Sequence, residues 1–465
     1  MNRVARLDQE PRSSEARGII DRTEPRALRT FTPTKAVLAR SAGVYHWTPE
    51  GRRLYDFSSG VLVSNLGHNP SDWFQSLVQY MQWPTPGAAT GGDYFEAQPL
   101  TAYNAITSVE AEASRRLTEL LQNRPGGKRM EQVLWAASGS EAIQKALWAA
   151  LTRDKARDII LATRFGFHGK KGLADAVSGC ESDHERDPRV RFISFPMTEY
   201  GDLSQRDRNF DPLPYARDLD ALKREFGKRL CCLITEPYLG AGGSYHPPRG
   251  YLQLLQSFCR DNDLVFILDE VQSNFGRTAR LFAYEAYGLE PDIVVLGKGL
   301  ANGVPVAAAV GRRDVFGALD FGDGSDTWSA NPLACAGVLA TLDGFAKRDV
   351  VAHVHRVSPI VEQGLVRLKE FPFIDAVRGE QNGMVWGLAT RDHGGRSAAD
   401  WANAVVLACY LGDGGSGDGI HLLGPLAKKV IRIAPPLVIT QDEATSAMAL
   451  MARSVRRLAE ESTTN

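Results

Sequence analysis

The sequence predicts an α/β protein: a large domain built on a mostly parallel seven-stranded sheet, with a smaller α+β domain drawn from both ends of the chain. Three observations carry this. From about Val133 to Gly311, short apolar runs alternate with longer amphipathic stretches, the pattern of a sheet with helical crossovers. Polar and glycine-rich motifs follow directly after these runs, at the strand ends where such sheets bind ligands. The length, 465 residues, exceeds what one hydrophobic core usually serves.

Taken in order, residues 1–35 read as a flexible, solvated arm. Arg3, Arg6, Arg12, Arg17, Arg22, Arg26 and Arg29 are interrupted by Asp8, Glu10, Glu15, Asp21 and Glu24, whereas transit peptides are poor in acids. No continuous apolar stretch of a signal peptide or membrane helix is present. Residues 36–80 open the small domain with two runs, Gly43–Trp47 and Arg53–Phe57, that read as a hairpin closed by Pro49-Glu50-Gly51.

The large domain spans 81–340. Its strands are expected at Gln132–Trp135, Asp158–Ala162, Val190–Phe195, Cys231–Thr235, Leu264–Leu268, Ile293–Leu296 and Val306–Val310, all short and mostly apolar, as strands covered on both faces must be. A long helix from Asn331 to Phe345 leads into the C-terminal part of the small domain, 341–465. There Gly383–Leu388 and Val430–Ile433 read as strands, Gly412–Gly419 as a loose loop, and Asp442–Glu460 as an amphipathic closing helix.

Composition narrows the function. A net charge of -1 provides no surface for a polyanion, so nucleic acid is not an expected partner. Six cysteines are too few for a disulfide framework in a chain of this length. Cys231 and Cys232 lie inside an apolar run, as reduced core residues of a cytoplasmic protein do. Neither Cys-x-x-Cys nor His-Glu-x-x-His occurs, so no metal is expected.

Chemistry concentrates at the strand ends. Ser138-Gly139-Ser140-Glu141 follows one strand and opens a helix; small residues there let backbone N–H groups approach a phosphate, although Ser138 or Ser140 also suits a simple N-cap. Phe165-Gly166-Phe167-His168-Gly169-Lys170 places an aromatic where it can stack on a flat ring or simply pack the loop. Glu236 and Asp269 each end an apolar strand, and Lys298 follows a third between Gly297 and Gly299. The 29 residues from Asp269 to Lys298 leave room for one crossover, with a helix at Leu281–Tyr287, that would bring the acid and the amine together. A carboxylate that keeps a pyridine nitrogen protonated and a lysine that forms a Schiff base are what pyridoxal phosphate requires of its protein.

These motifs resemble the class III, or ω-amino-acid, aminotransferases of pyridoxal phosphate fold type I, over Val44 to Ala459. The resemblance rests on Asn65-Leu66-Gly67-His68, Ser138-Gly139-Ser140-Glu141-Ala142, Phe167-His168-Gly169, Glu236-Pro237, Leu268-Asp269-Glu270-Val271-Gln272, Gly276-Arg277-Thr278, Lys298-Gly299-Leu300, Asn331-Pro332-Leu333-Ala334 and Arg432-Ile433-Ala434-Pro435-Pro436-Leu437. It implies that Lys298 carries the cofactor and moves protons, that Asp269 pairs with its ring nitrogen, and that Ser138, Gly139 and Ser140 hold its phosphate. Phe167 would cover the ring, Gln272 would touch its phenolic oxygen, and His168, Glu236 and Val271 would complete the site. Thr327 would reach the phosphate of a neighbouring subunit, which implies a homodimer, with pairing into tetramers left open. The substrates implied are an amino donor and an oxo acid, contacted by Val61, Lys170 and Arg432.

The chain departs from the family's pattern in three places. Ala241 stands where many members carry a second glutamate that pairs with the arginine matching Arg432. Lys170 stands where several carry a substrate-binding arginine, giving a point charge in place of a fork. Trp328-Ser329-Ala330 replaces an aromatic-Gly-Gly. A decarboxylase, aminomutase or epimerase would keep the same cofactor residues, and a non-catalytic protein on the same fold is the reading from another class.

Overall fold

Pro11 opens a helix, Pro11–Thr23, in the computed structural model, which describes residues 10–85, 87–88, 91–183, 187–415 and 417–463. The expectation of a solvated arm is therefore corrected for the described part of that segment. Glu10 is only 4% exposed: its carboxylate takes Arg17 Nη2 at 2.8 Å, Arg52 Nη2 at 2.7 Å and the Tyr410 hydroxyl at 3.0 Å. Ser13 donates its N–H and its hydroxyl to Glu50, at 2.8 and 2.7 Å. Charge pairing across long sequence separations overrides the polar, low-hydrophobicity composition on which the arm was read.

The chain divides into two compact units. One takes the residues up to Pro70, Gly201–Leu203 and the chain from Val350 onward; the other takes Ser71–Tyr200 and Ser204–Asp349. The first unit starts with a meander of β1 (Arg40–Ala42), β2 (Tyr45–Trp47) and β3 (Arg53–Asp56). Gly51, at φ +88°, supplies the left-handed turn between β2 and β3 that the sequence placed there.

The larger unit is organised by β4 (Gln132–Ala136), β5 (Ile159–Thr163), β6 (Val190–Ile193), β7 (Leu230–Thr235), β8 (Val265–Asp269), β9 (Ile293–Leu296) and β10 (Ala307–Gly311). They form one sheet in the order β4-β10-β9-β8-β7-β5-β6, parallel from β9 to β6, with β10 antiparallel to both its neighbours. Every residue of β5, β7, β8, β9 and β10 is buried, which is why these strands read as unbroken apolar runs. The helix Gly139–Arg153 covers one face through Ala142, Ile143, Ala146, Leu147 and Ala150. The helix Ser71–Met81, which the sequence grouped with the small domain, falls in this unit: Trp73 Nε1 donates to Thr341 Oγ1 (2.9 Å) and the Tyr80 hydroxyl to Asp343 (2.9 Å), both on the helix Pro332–Lys347.

The C-terminal part of the first unit holds β11 (Ile374–Gly379), β12 (Trp386–Thr390), β13 (Gly419–His421) and β14 (Val430–Ile433). An antiparallel sheet runs β11-β12-β14, while β13 pairs in parallel with β3. The strand expected from Gly383 starts only at Trp386, because Gly383 N–H closes a turn onto Glu380 O (3.1 Å). The helix Gln441–Thr463 closes the chain, burying Ala444, Ala447, Met451 and Val455. Among the described residues no helix is long and apolar enough to cross a membrane.

Candidate active site

The carboxyl edge of the large sheet gathers the polar motifs. β8 and β9 are parallel neighbours with Asp269 opposite Val295, so Asp269 stands beside the strand that leads through Gly297 to Lys298. The crossover between them carries a helix of five residues, Ala283–Tyr287. Lys298 opens a short turn, Lys298–Ala301, in the left-handed region at φ +48°, a conformation rare for a side chain of this kind and concentrated at functional sites. Asn274 Nδ2 fixes this edge by donating to Glu270 O (2.6 Å) and Gly297 O (3.0 Å).

Asp269 is buried but not isolated. Its Oδ1 accepts the Val271 N–H at 2.9 Å, and its Oδ2 pairs with His168 Nδ1 at 2.7 Å. His168 is in turn held by its own N–H, which donates to Ser178 Oγ at 2.8 Å. Each carboxylate oxygen has two lone pairs, so Asp269 keeps acceptor capacity for a further N–H.

Glu236, after β7, joins two loops: one oxygen accepts the N–H of Phe167 (2.9 Å), the other that of Gly240 (3.1 Å). Burial pushes its carboxyl up to about 7; nearby His168 opposes the rise and the Asp269 charge adds to it. Gln272 Oε1 is buried without a hydrogen-bond partner, and a Cβ on Gly240 would overlap it. Glycine at 240 thus keeps that acceptor in place.

After β4, Ser138 caps the helix Gly139–Arg153 in a full capping box: its hydroxyl accepts the Glu141 N–H (3.4 Å), while Glu141 accepts the N–H groups of Ala137 (3.0 Å) and Ser138 (2.9 Å). The simple N-cap reading therefore holds for the Ser138 side chain. The next two N–H groups, of Gly139 and Ser140, stand at the open end of a 15-residue helix, where the helix field favours an anion.

Together these groups surround a cavity of about 220 Å³ lined by Ser138, Gly139, Ser140, Phe167, His168, Glu236, Asp269, Val271, Gln272 and Lys298, with Gly169 and Ala241 completing the wall. Phe167 is 43% exposed, an aromatic face left open at this wall. Four other residues singled out in the sequence are not in the lining. Lys170 is exposed, and Thr327 lies on an exposed turn. Val61, at φ +70°, and Arg432, on β14, belong to the other unit.

Sequence reasoning missed two features here. The His168–Asp269 pair spans 101 residues and leaves no local signal. Lys145, 4% exposed inside a helix, donates to Asp326 Oδ2 (2.7 Å), Ser329 Oγ (2.7 Å) and Trp135 O (2.6 Å), and so pins the turn that carries Thr327. Ser329, standing where a glycine is usual, was its only trace in the sequence.

The arrangement fits pyridoxal phosphate on its own chemistry. Helix N–H groups await an anion, Gln272 Oε1 is an orphaned acceptor, and a carboxylate and an amine stand on adjacent strand ends. Solved structures with the same fold include the ornithine aminotransferase of Toxoplasma gondii (TM-score 0.79, 23% identity, covering 98% of this chain and 97% of that one) and an (S)-enantioselective ω-transaminase of Thermomicrobium roseum (TM-score 0.74, 24% identity, 95% and 94%). The fold and site thus define a pyridoxal phosphate enzyme of fold type I.

The family model for aminotransferase class-III matches residues 28–455, and the chain belongs to that family. It is an aminotransferase that uses pyridoxal phosphate. Similar chains include the acetylornithine aminotransferase of Agrobacterium fabrum, 30% identical over 426 residues (90% of this chain, 93% of that one), and the ornithine aminotransferase of Emericella nidulans, 28% identical over 445 residues (93% and 88%).

Proposed function

We propose that this chain transfers the terminal amino group of an ω-amino acid of the ornithine type to a 2-oxo acid, with Lys298 and Asp269 as its catalytic residues. The single observation behind these assignments is the placement of an amine and a buried carboxylate on neighbouring strand ends, around one cavity. The ornithine and acetylornithine aminotransferases among its relatives support the substrate class.

When bound, pyridoxal phosphate supplies an electron sink for the bond broken at the substrate carbon. Lys298 Nζ would hold it, and the same amine would take up and return the proton of the donor carbon. Asp269 keeps a negative charge beside the ring nitrogen, and His168 holds that carboxylate in place. Gly139 and Ser140 would hold the phosphate through their N–H groups, Phe167 and Val271 would contact the ring, and Gln272 would touch the phenolic oxygen. By the family resemblance Arg432 is assigned to the substrate carboxylate, and Ala241 stands where many members carry the glutamate that pairs with that arginine. By the same resemblance Val61 and Lys170 are assigned as substrate contacts.

The reading includes a homodimer to which Thr327 contributes across the interface. Phe321 (104% exposed), Trp328 (58%), Tyr94 and Ile106 leave apolar surface on the larger unit that a second copy would cover. A cytoplasmic setting is supported by the cysteines, none of which forms a disulfide.

The test is the visible spectrum of the protein with pyridoxal phosphate, before and after a panel of ω-amines and α-amino acids. Bleaching by ornithine-type donors, reversed by a 2-oxo acid, is expected. Reaction confined to α-amino acids would refute the substrate class, and full turnover by Lys298→Ala would refute the role of that lysine.

A further inference from the structure

The first unit contains a largely buried side-chain cluster that is not in the lining of the cavity described above. His46 lies on β2, Asp56 ends β3, and His68 forms a bridge with Gly43 through both backbone hydrogen bonds (2.9 and 2.8 Å). His46 is in register with Leu54, and the two-residue period of a strand puts Asp56 on the same face. His46 Nε2 is 3.4 Å and His68 Nε2 2.7 Å from the same oxygen, Asp56 Oδ2, and one ligand atom from each of the three residues lies within 4.8 Å of the others.

We propose that His46, Asp56 and His68 bind a divalent transition-metal ion of the zinc type, as a structural site that ties β2 and β3 to the segment ending at His68. Imidazole nitrogen and carboxylate oxygen are the donors such ions choose. With bonds of about 2.1 Å, tetrahedral donors stand about 3.4 Å apart. The His46–Asp56 separation already has that value, and the His68–Asp56 contact must open by roughly 0.7 Å to match it.

Two of the three ligands are already held from behind. His46 Nδ1 is 2.6 Å from Ser41 Oγ, and Asp56 Oδ1 accepts the Ser58 N–H (2.7 Å), the Ser58 hydroxyl (2.7 Å) and the Ser59 N–H (3.1 Å). Outer hydrogen bonds of this kind fix ligand orientation at metal centres. His421, paired with Asp56 across β13, supplies the independent observation. It is 8% exposed, stands edge-on to His46 with ring centroids 5.4 Å apart, and its Nδ1 is buried with no hydrogen-bond partner, a nitrogen available as a fourth ligand on ring rotation. The sequence expectation of no metal rested on local spacings, which a cluster assembled from separate strands does not display.

The experiment uses the full-length holoenzyme, stripped with a chelator, re-equilibrated with Zn²⁺ and desalted, with metal measured per chain. About one zinc per wild-type chain is expected, falling at least tenfold in His46→Gln and in His68→Gln, together with a thermal midpoint that zinc raises only in the wild type. Equal zinc content in all three proteins overturns the proposal and leaves a hydrogen-bonded His–Asp–His group. Where a variant fails to fold, Co²⁺ on the wild-type chain decides: intense tetrahedral visible bands support the site, and weak octahedral bands or none overturn it.

Discussion

Asp269 and Glu270 are adjacent carboxylates with opposite tasks. Asp269 faces the cavity, and in the proposed role it pairs with the ring nitrogen, so Asp269→Asn keeps the cavity's shape and would remove that partner. Turnover is expected to fall by about 10²–10⁴-fold, as for loss of a positioned proton-handling group, with cofactor still bound in the absorption spectrum. Glu270 points into the protein and accepts the N–H groups of Ala283 (2.6 Å) and Tyr284 (2.7 Å). Burial pushes its carboxyl up to about 8 against the pull of those two hydrogen bonds, with Glu285 and Asp269 adding to the rise. Below pH 4.5 folded and unfolded chains both hold the proton; between 4.5 and about 8 only the folded chain does, so stability falls as pH rises through that window. Urea midpoints at pH 5, 6.5 and 8 are therefore expected to decline in the wild type relative to Glu270→Gln; a constant difference between the two would contradict the buried, protonated state.

At the scale of elements, the turn that carries Thr327 is pinned to the helix Gly139–Arg153 by Lys145. Asp326 accepts the Lys145 ammonium and also the Ser329 hydroxyl, and burial of the lysine makes this a charge-assisted anchor rather than a surface pair. Lys145→Met strands a carboxylate that is itself about one-third exposed, so the expected cost is about 1.5–3 kcal/mol, read by denaturant unfolding. A change within experimental error would show the turn to be held by other contacts. The same element scale explains what the sequence revealed. The five inner strands of the large sheet, β5, β7, β8, β9 and β10, were legible because burial on both faces forces an unbroken apolar run; the edge strands β4 and β6 are partly exposed and showed only short apolar stretches. β11 was not, because Ile374-Asp375-Ala376-Val377-Arg378-Gly379 places polar groups among its apolar ones; there Arg378 is satisfied by donating to Gly201 O (3.0 Å). The helix Pro11–Thr23 was hidden for a similar reason: Glu10, Arg17, Arg52 and Tyr410 neutralise one another only once the chain has folded.

For the molecule as a whole, local motifs pointed to the proposed Lys298, Asp269 and the start of the helix Gly139–Arg153, since each follows directly on a strand. They did not expose His168–Asp269 or the His46–Asp56–His68 cluster, whose members meet only through tertiary structure. Thr327 is proposed as a third kind of residue, one whose role would depend on a second copy of the chain. If it serves the partner's phosphate, subunit exchange between two defective variants must restore activity. Lys298→Ala has no amine but an intact Thr327; Thr327→Ala has the amine but lacks the phosphate contact. In a mixed dimer, one site would combine the second variant's Lys298 with the first variant's Thr327 and so be complete. Random exchange then leaves about a quarter of all sites active, against near-zero turnover for Lys298→Ala and a raised cofactor requirement for Thr327→Ala. If Thr327 instead served its own chain, the mixture would show no more activity than the sum of its parts at the same cofactor concentration, and the interface role would fall.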